Sequence, residues 1–283
     1  MSIAVLSLNQ PDNHVMPNFP LDRNLIQDQL SQTPIKKISI FPVLDSSNEW
    51  ALQHADCGEV CLVEAQTAGR GRRGRQWHSP PQSNIYLSLK WCFESIPEQM
   101  GLLSLVVAVA VSECLRTLGI RGHGIKWPND IVYQNRKLAG ILIESKGSLN
   151  TVVIGIGLNV HMVQAQVDSQ EIDQAWISID EILQSTVTTM DEPVNRNLLV
   201  AQLLKQLLKQ LSHFNHLDFK QFLSQWQSWD VLKQTTVEVL ENCNPIQAQV
   251  MGITSQGALR LCLANGSEKI VHSADVSIRH HNP

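Results

Sequence analysis

The chain has little of what would tie it to a nucleic-acid polymer, a membrane or an oxidising compartment. Of its 283 residues, 22 are Lys or Arg and 26 are Asp or Glu, a formal charge of −4. Broad electrostatic binding to nucleic acid needs a basic face, so it is not expected, although a local basic patch remains open. The six cysteines (Cys57, Cys61, Cys92, Cys114, Cys243, Cys262) are scattered. That scatter argues against a disulfide framework and for reduced, buried thiols. Cys57 and Cys61 have a loose metal-like spacing, but no second pair accompanies them, so no metal site is assigned. No basic n-region followed by an apolar stretch marks a signal peptide. The most apolar run, Leu102 to Val111, is shorter than the ~20 residues that cross a bilayer, and it reads as a buried helix. The expectation is a soluble cytoplasmic protein with no membrane partner.

Familiar catalytic signatures are missing as well. There is no Walker loop closed by Gly-Lys-Ser/Thr, no nucleophile elbow, no His-Glu-x-x-His and no catalytic Cys/His arrangement. Internal repeats are absent. What the composition does offer is a core: 43% of residues are hydrophobic and 17% charged, over a length that suits one large or two modest domains.

Against that background one loop stands out. Gly69-Arg70-Gly71-Arg72-Arg73-Gly74-Arg75 places four guanidinium groups among three glycines, and no carboxylate occurs between Glu64 and Glu94 to neutralise them. Glycine lets the backbone approach a ligand, and arginine offers a permanent charge and a planar donor fork suited to carboxylate or phosphate. A solvated loop and an RGG-like nucleic-acid element are the competing readings. The second usually interleaves several aromatics, whereas only Trp77 follows here. An anion site for a small molecule fits the glycines better. Lys126-Trp127-Pro128-Asn129-Asp130 puts a lysine, an amide and a carboxylate beside a rigid proline at a strand end, where sites are often assembled. An ordinary loop capped by Asp130 is the equal alternative. Lys137 reads by default as a solvated strand-end lysine. Gly155-x-Gly157 is a weak dinucleotide signal, and a strand closely approached by ligand or backbone is its better reading.

Patterning arranges these pieces. Residues 1–35, rich in Asn, Gln and Pro, read as a poorly ordered extension with a short helix around Leu21 to Leu30. Strands are expected at 37–41, 60–63, 85–91, 125–127, 131–133, 138–143 and 152–160, the fifth and sixth forming a hairpin. A helix through Glu49 to His54 follows the capping residues Asp45 to Asn48, and Gln99 to Leu118 forms an apolar helix closed by Gly119. Ser178 caps a short helix. Asp191 and Pro193 open a helical region to about Trp229, broken near His213 to Leu217. Short strands with turn signals after Lys233 mark a small all-β unit.

Five segments taken together resemble biotin–protein ligase. They are Ser46-Ser47-Asn48, Gln66 through Arg75, Lys126 through Asp130, Arg136 through Glu144, and Gly155 through Asn159. The resemblance runs from about residue 36 to Arg279, in the family's order and approximate spacing. It implies an α+β fold: a mixed β-sheet flanked by helices, like the class II synthetase-like biotin/lipoate ligase catalytic domain, over residues 36–232. A small SH3-like β-barrel would cover residues 233–283. It also implies a two-step reaction, in which biotin and ATP give biotinyl-5′-AMP, and a lysine of a biotin carboxyl carrier protein then takes the biotin.

Carried over by position, Ser46, Ser47, Asn48, Gln66, Arg70, Gly71, Arg72, Lys137 and Gly140 would bind biotin. Arg72, Trp77, Lys126, Asn129, Asn159, Trp176 and Arg279 would bind the adenylate, and Lys126, Lys137, Arg72 and Asp130 would carry the chemistry. Mg2+ would accompany ATP, and Asn129 and Asp130 are candidates for orienting the carrier lysine or the metal. Ser47 stands where the family usually has threonine, which removes a methyl and keeps the hydroxyl. The family's gene-regulating members carry a winged-helix domain. About 35 residues are too few for one, so no DNA partner is expected. Biotin ligases are often dimers, which makes a homodimer a further implication. A lipoate–protein ligase or related acyltransferase is the nearest alternative, and a biotin-sensing DNA-binding regulator the next.

Overall fold

A computed structural model describes residues 20–163, 172, 174–186, 193–241, 244–272 and 277–280, with the side chains of 240, 241, 244 and 277–280 outside that description. Its centre is a seven-stranded mixed sheet in the order β1-β2-β3-β7-β6-β5-β4. The strands are β1 (Lys37–Leu44), β2 (Glu59–Gln66), β3 (Ile85–Cys92), β4 (His123–Lys126), β5 (Asp130–Tyr133), β6 (Arg136–Glu144) and β7 (Thr151–Leu158). Only β1 and β2 pair in parallel; their crossover is α2 (Ser47–His54). The β5–β6 hairpin turns on Gln134 and Asn135, both in the left-handed region (φ 48° and 61°), as a two-residue hairpin turn requires.

Both faces of the sheet are covered, so β2 is apolar at every turn rather than alternating. Val60 and Leu62 join the main core, while Cys61 and Val63 pack with Ala51 and Ala55 of α2 on the other side. The main-core face carries α3 (Leu103–Thr117), α5 (Arg196–Ser212) and α1 (Arg23–Asp28). The span Met100–Thr117 is long and apolar enough to cross a membrane by composition, but α3 is buried on nearly every side, as a central core helix should be. α4 (Ile179–Thr186) and α6 (Phe219–Gln227) follow. The chain then forms a five-stranded antiparallel sheet, β11-β10-β9-β8-β12, from β8 (Thr236–Glu241), β9 (Asn244–Ile253), β10 (Leu259–Leu263), β11 (Glu268–Val271) and β12 (Ser277–His280).

Three expectations need correction. Residues 20–35 carry the expected short helix but are not a loose extension: Asp22 caps α1, Leu21, Ile26 and Leu30 are buried, and Leu21 N donates to Glu64 Oε1 at 2.7 Å. The apolar spacing of that short helix outweighed its polar composition. Residues 1–19 lie outside the described residues. The long helix is capped by Asn195, whose side chain accepts from the N–H groups of Asn197 and Leu198; Asp191 lies outside the described residues. Finally, Cys57 and Cys92 are disulfide-bonded with their Cα atoms 5.6 Å apart. Sheet pairing brings together two cysteines 35 residues apart, which spacing along the chain could not reveal. The thiols of Cys61 and Cys114 are buried as expected, and burial pushes both up to about 12.

Candidate active site

Ser46 is the N-cap of α2, its hydroxyl accepting from Glu49 N, and this places Ser47 and Asn48 at the start of the helix against the sheet. Gln66, at the end of β2, accepts from Ser47 N at 2.8 Å and donates to Ser79 Oγ at 2.9 Å. Ser88 on β3 holds the pair from below, its hydroxyl 2.8 Å from Ser47 Oγ and 2.6 Å from Asn48 Oδ1. Asn48 donates onward to Glu144 Oε2 at 3.0 Å. The result is a polar wall whose donors and acceptors are already oriented.

The two glycines of β7 explain themselves here. A Cβ on Gly155 would lie 2.2 Å from Asn48 Oδ1, and one on Gly157 2.4 Å from Trp77 Cε2. Gly140, the cross-strand partner of Gly157, leaves room for the same ring, since its Cβ would lie 2.7 Å from Trp77 Cζ3. Trp77 therefore lies on a floor of two paired glycines, and its buried Nε1 has no hydrogen-bond partner among the described residues. Lys137 Nζ sits 5.2 Å from the centroid of that ring, within cation–π range, and 2.9 Å from Asp130 Oδ1.

The Gly/Arg loop folds back on itself, with Gly71 N bonded to Arg75 O at 2.8 Å and Trp77 N to Gly69 O at 2.8 Å. Arg73 and Gly74 take left-handed φ values of 58° and 71° at its tip. Arg70, itself exposed, and the half-buried Arg72 tie the loop to neighbouring elements. Arg70 pairs with Glu49 and Glu144, and Arg72 donates to Asn129 Oδ1 at 2.9 Å. Arg73 and Arg75 are exposed. Burial, then repulsion from Arg73, lowers the pKa of Arg72, and Asp130 opposes both effects. Arg72 thus holds its charge where water is partly excluded, and that is where a charge interaction gains strength.

These elements line a cavity of about 620 Å³, and the Gly/Arg loop with Leu142 and Glu144 lines a more open one of about 720 Å³ beside it. The first is lined by Ser46, Ser47, Asn48, Gln66, Arg70, Gly71, Arg72, Trp77, Lys126, Asn129, Asp130, Lys137, Gly140, Asn159 and Trp176, every expected site residue except Arg279. Arg279 lies on β12 opposite Glu238, its side chain outside the description. Asn159 does not aim its amide into open space: Nδ2 donates to Ile177 O at 3.1 Å and Lys137 O at 3.3 Å, fixing the wall that carries Trp176. Sequence reasoning missed Ser88, Ser79 and Glu49 as parts of the site. Glu144 was quoted only as the end of a motif, yet it ties Asn48 to Arg70.

The chain is similar to known proteins in both sequence and fold. Residues 40–161 match the Biotin/lipoate A/B protein ligase family, and residues 235–279 match the Biotin protein ligase C terminal domain. The chain is 37% identical over 247 residues to the bifunctional ligase/repressor BirA of Salmonella typhimurium, covering 85% of this chain and 73% of that protein. It is 30% identical over 267 residues to the biotin–[acetyl-CoA-carboxylase] ligase of Mycobacterium tuberculosis, covering 90% and 94%. Among solved structures, the biotin protein ligase of Aquifex aeolicus in complex with biotin and ATP superimposes with a TM-score of 0.72 at 26% identity, over 87% of this chain and all of that one.

Proposed function

The chain belongs to the biotin–protein ligases, and from that premise we propose which of its residues act on biotin and ATP, and in what order. It is an ATP-dependent biotin ligase. The difficulty of the reaction is electrostatic, because a carboxylate must reach a polyphosphate that repels it. The observation carrying the assignment is that Arg72, Lys126 and Lys137 line one cavity with a single carboxylate, Asp130, among the described residues.

Ser46, Ser47 and Gln66 hold biotin's polar head at the start of α2, in the network completed by Ser88. Arg70, Gly71 and Arg72 close over its carboxylate from the loop, and Lys137 meets it from β6. Trp77 gives the adenylate a flat face on its glycine floor, beside Trp176. The carboxylate oxygen attacks the α-phosphorus, a new P–O bond forms, and the bond to the bridging oxygen breaks to release pyrophosphate. Lys126 and Arg72 stabilise the charge that gathers on the phosphate, the role for which fixed cations in a water-poor site are suited.

In the second step the neutral amine of an acceptor lysine attacks the acyl carbon. The C–O bond to AMP breaks and the amine loses a proton. We assign Asp130, with Asn129, to orienting that amine. The acceptor is a biotin carboxyl carrier domain. Magnesium would enter with the nucleotide, bridging its phosphates and neutralising part of their charge. With its most apolar helix buried, we place the enzyme in the cytoplasm. Pyrophosphate exchange tests the substrate: biotin is expected to drive it and lipoate not, and the reverse outcome would make the chain a lipoate ligase.

A further inference from the structure

The turn that follows Lys126 is braced by a part of the molecule remote from it in sequence. Trp127, Pro128 and Asn129 join β4 to β5. The Ser104 hydroxyl, at the start of α3, donates to Pro128 O at 3.1 Å. Asn129 is bound twice to β6: its Nδ2 donates to Ile141 O at 2.9 Å, and its carbonyl accepts from Ile141 N at 3.0 Å. The third brace spans 130 residues. Trp127 Nε1 donates to Gly257 O at 2.9 Å. Trp127 is only 2% exposed, so the bond is made away from water, where an abandoned carbonyl is expensive.

Gly257 belongs to the turn between β9 and β10, closed by Thr254 N to Ala258 O at 2.8 Å. This turn presses on the residues before α3 with no room for a side chain. A Cβ on Gly101 would lie 2.1 Å from Gln256 O, and one on Gly257 2.4 Å from Gly101 O. Gly257 also has φ +76°, a left-handed value that glycine adopts freely. The segment leading into the small sheet adds a fourth brace. Ile125 N donates to Trp229 O at 2.7 Å and Val231 N to Ile125 O at 3.1 Å, covering the outer edge of β4.

We infer that the Trp127–Gly257 contact makes the C-terminal sheet a positioning element for Lys126, so that the small sheet sets the rate of adenylation without touching the biotin end of the cavity. The inference rests on Lys126 being the lysine at the reacting phosphate. Trp127 is a positioning residue: it acts through its neighbours in the turn. The biotin wall is built from α2, β2 and β3, none of which this contact touches, so rate and biotin affinity should separate.

The test uses the full chain and biotin-dependent ATP–pyrophosphate exchange. Trp127→Phe keeps most of the ring and deletes the N–H. At saturating substrates the rate is expected to fall about ten- to one-hundred-fold, the scale of a misplacement of about 1 Å, with the dissociation constant for biotin unchanged. In a Lys126→Ala background the same change should cost nothing further, because its effect passes through that lysine. Gly257→Ala should show the same split and the same silence, and it stands in if Trp127→Phe does not fold. A folded variant within two-fold of the wild-type rate, losses that multiply with Lys126→Ala, or unfolding of both variants would overturn the inference. A wild type without biotin-dependent exchange would overturn the ligase assignment and this inference together, whereas an active wild type with a silent Trp127→Phe would overturn the inference alone.

Discussion

Adding one methyl group at each of two neighbouring glycines should damage two different substrate sites. Gly155 and Gly157 lie two residues apart on β7 and so face the same side of the sheet. A Cβ at Gly155 meets Asn48 Oδ1 at 2.2 Å, and a Cβ at Gly157 meets Trp77 Cε2 at 2.4 Å. Ordinary contact begins near 3.5 Å, so each neighbour must retreat by roughly 1 Å. Overpacking of that kind costs about 1–3 kcal/mol. If the strain falls on the bound state, affinity weakens between about five-fold and somewhat over one-hundred-fold, at about 1.4 kcal/mol per factor of ten.

Gly155→Ala disturbs Asn48, which shares the Ser88 hydroxyl with Ser47, so the KM for biotin should rise. Gly157→Ala lifts the ring from its floor, so the KM for ATP should rise and that for biotin change little. Gly140→Ala should follow Gly157→Ala, since its Cβ would meet the same ring at 2.7 Å. The assay is steady-state pyrophosphate exchange with each substrate varied in turn, and thermal melting to verify the fold. Equal effects on both substrates from both variants, or no effect in folded protein, would refute the division of the cavity.

Arg72→Ala and Lys137→Ala should each reduce biotin transfer onto a carrier domain by about 10²–10³, the usual loss when a group facing developing charge is removed; near-normal rates would remove both from the mechanism. Alkylation and peptide mapping without reductant should find Cys57 and Cys92 linked. Opening that link should lower stability by about 4 kcal/mol, and two alkylated thiols in the purified, unreduced protein would contradict the bond. Burial pushes the Asp230 carboxyl up to about 6 from 3.8, so the native state holds this proton more tightly than the unfolded chain. The stability this group contributes is therefore full at low pH and lost as pH rises through about 6. Asp230→Asn keeps an acceptor for Leu232 N and should raise Tm at neutral pH while leaving it unchanged near pH 4; an equal change at both would exclude the titration.

The site was legible in the sequence wherever its chemistry is local. The Gly/Arg loop announces a residue pattern with few other uses, whereas the strand-end lysines read alone as ordinary surface residues and were singled out only by the resemblance; all of them line the cavity. The strands followed from runs such as Val60 to Val63, whose apolar side chains serve both faces of the sheet. What escaped depends on pairing across the sheet. Ser88 looks like any polar residue in a half-buried strand until β3 passes beneath α2. Gly140 and Gly157 gain their meaning only as cross-strand partners under Trp77. The same holds for the bond between Trp127 and Gly257, since nothing local to either residue names the other.

The most direct test is to incubate the purified chain with biotin and MgATP and identify what the protein retains. Biotinyl-5′-AMP should be held at about one per chain, and it should be discharged when a biotin carboxyl carrier domain is added, leaving biotin on one lysine and AMP in solution. Retention of a lipoyl adenylate instead, or of unreacted biotin and ATP side by side, would contradict the claim that this cavity joins the acid to AMP.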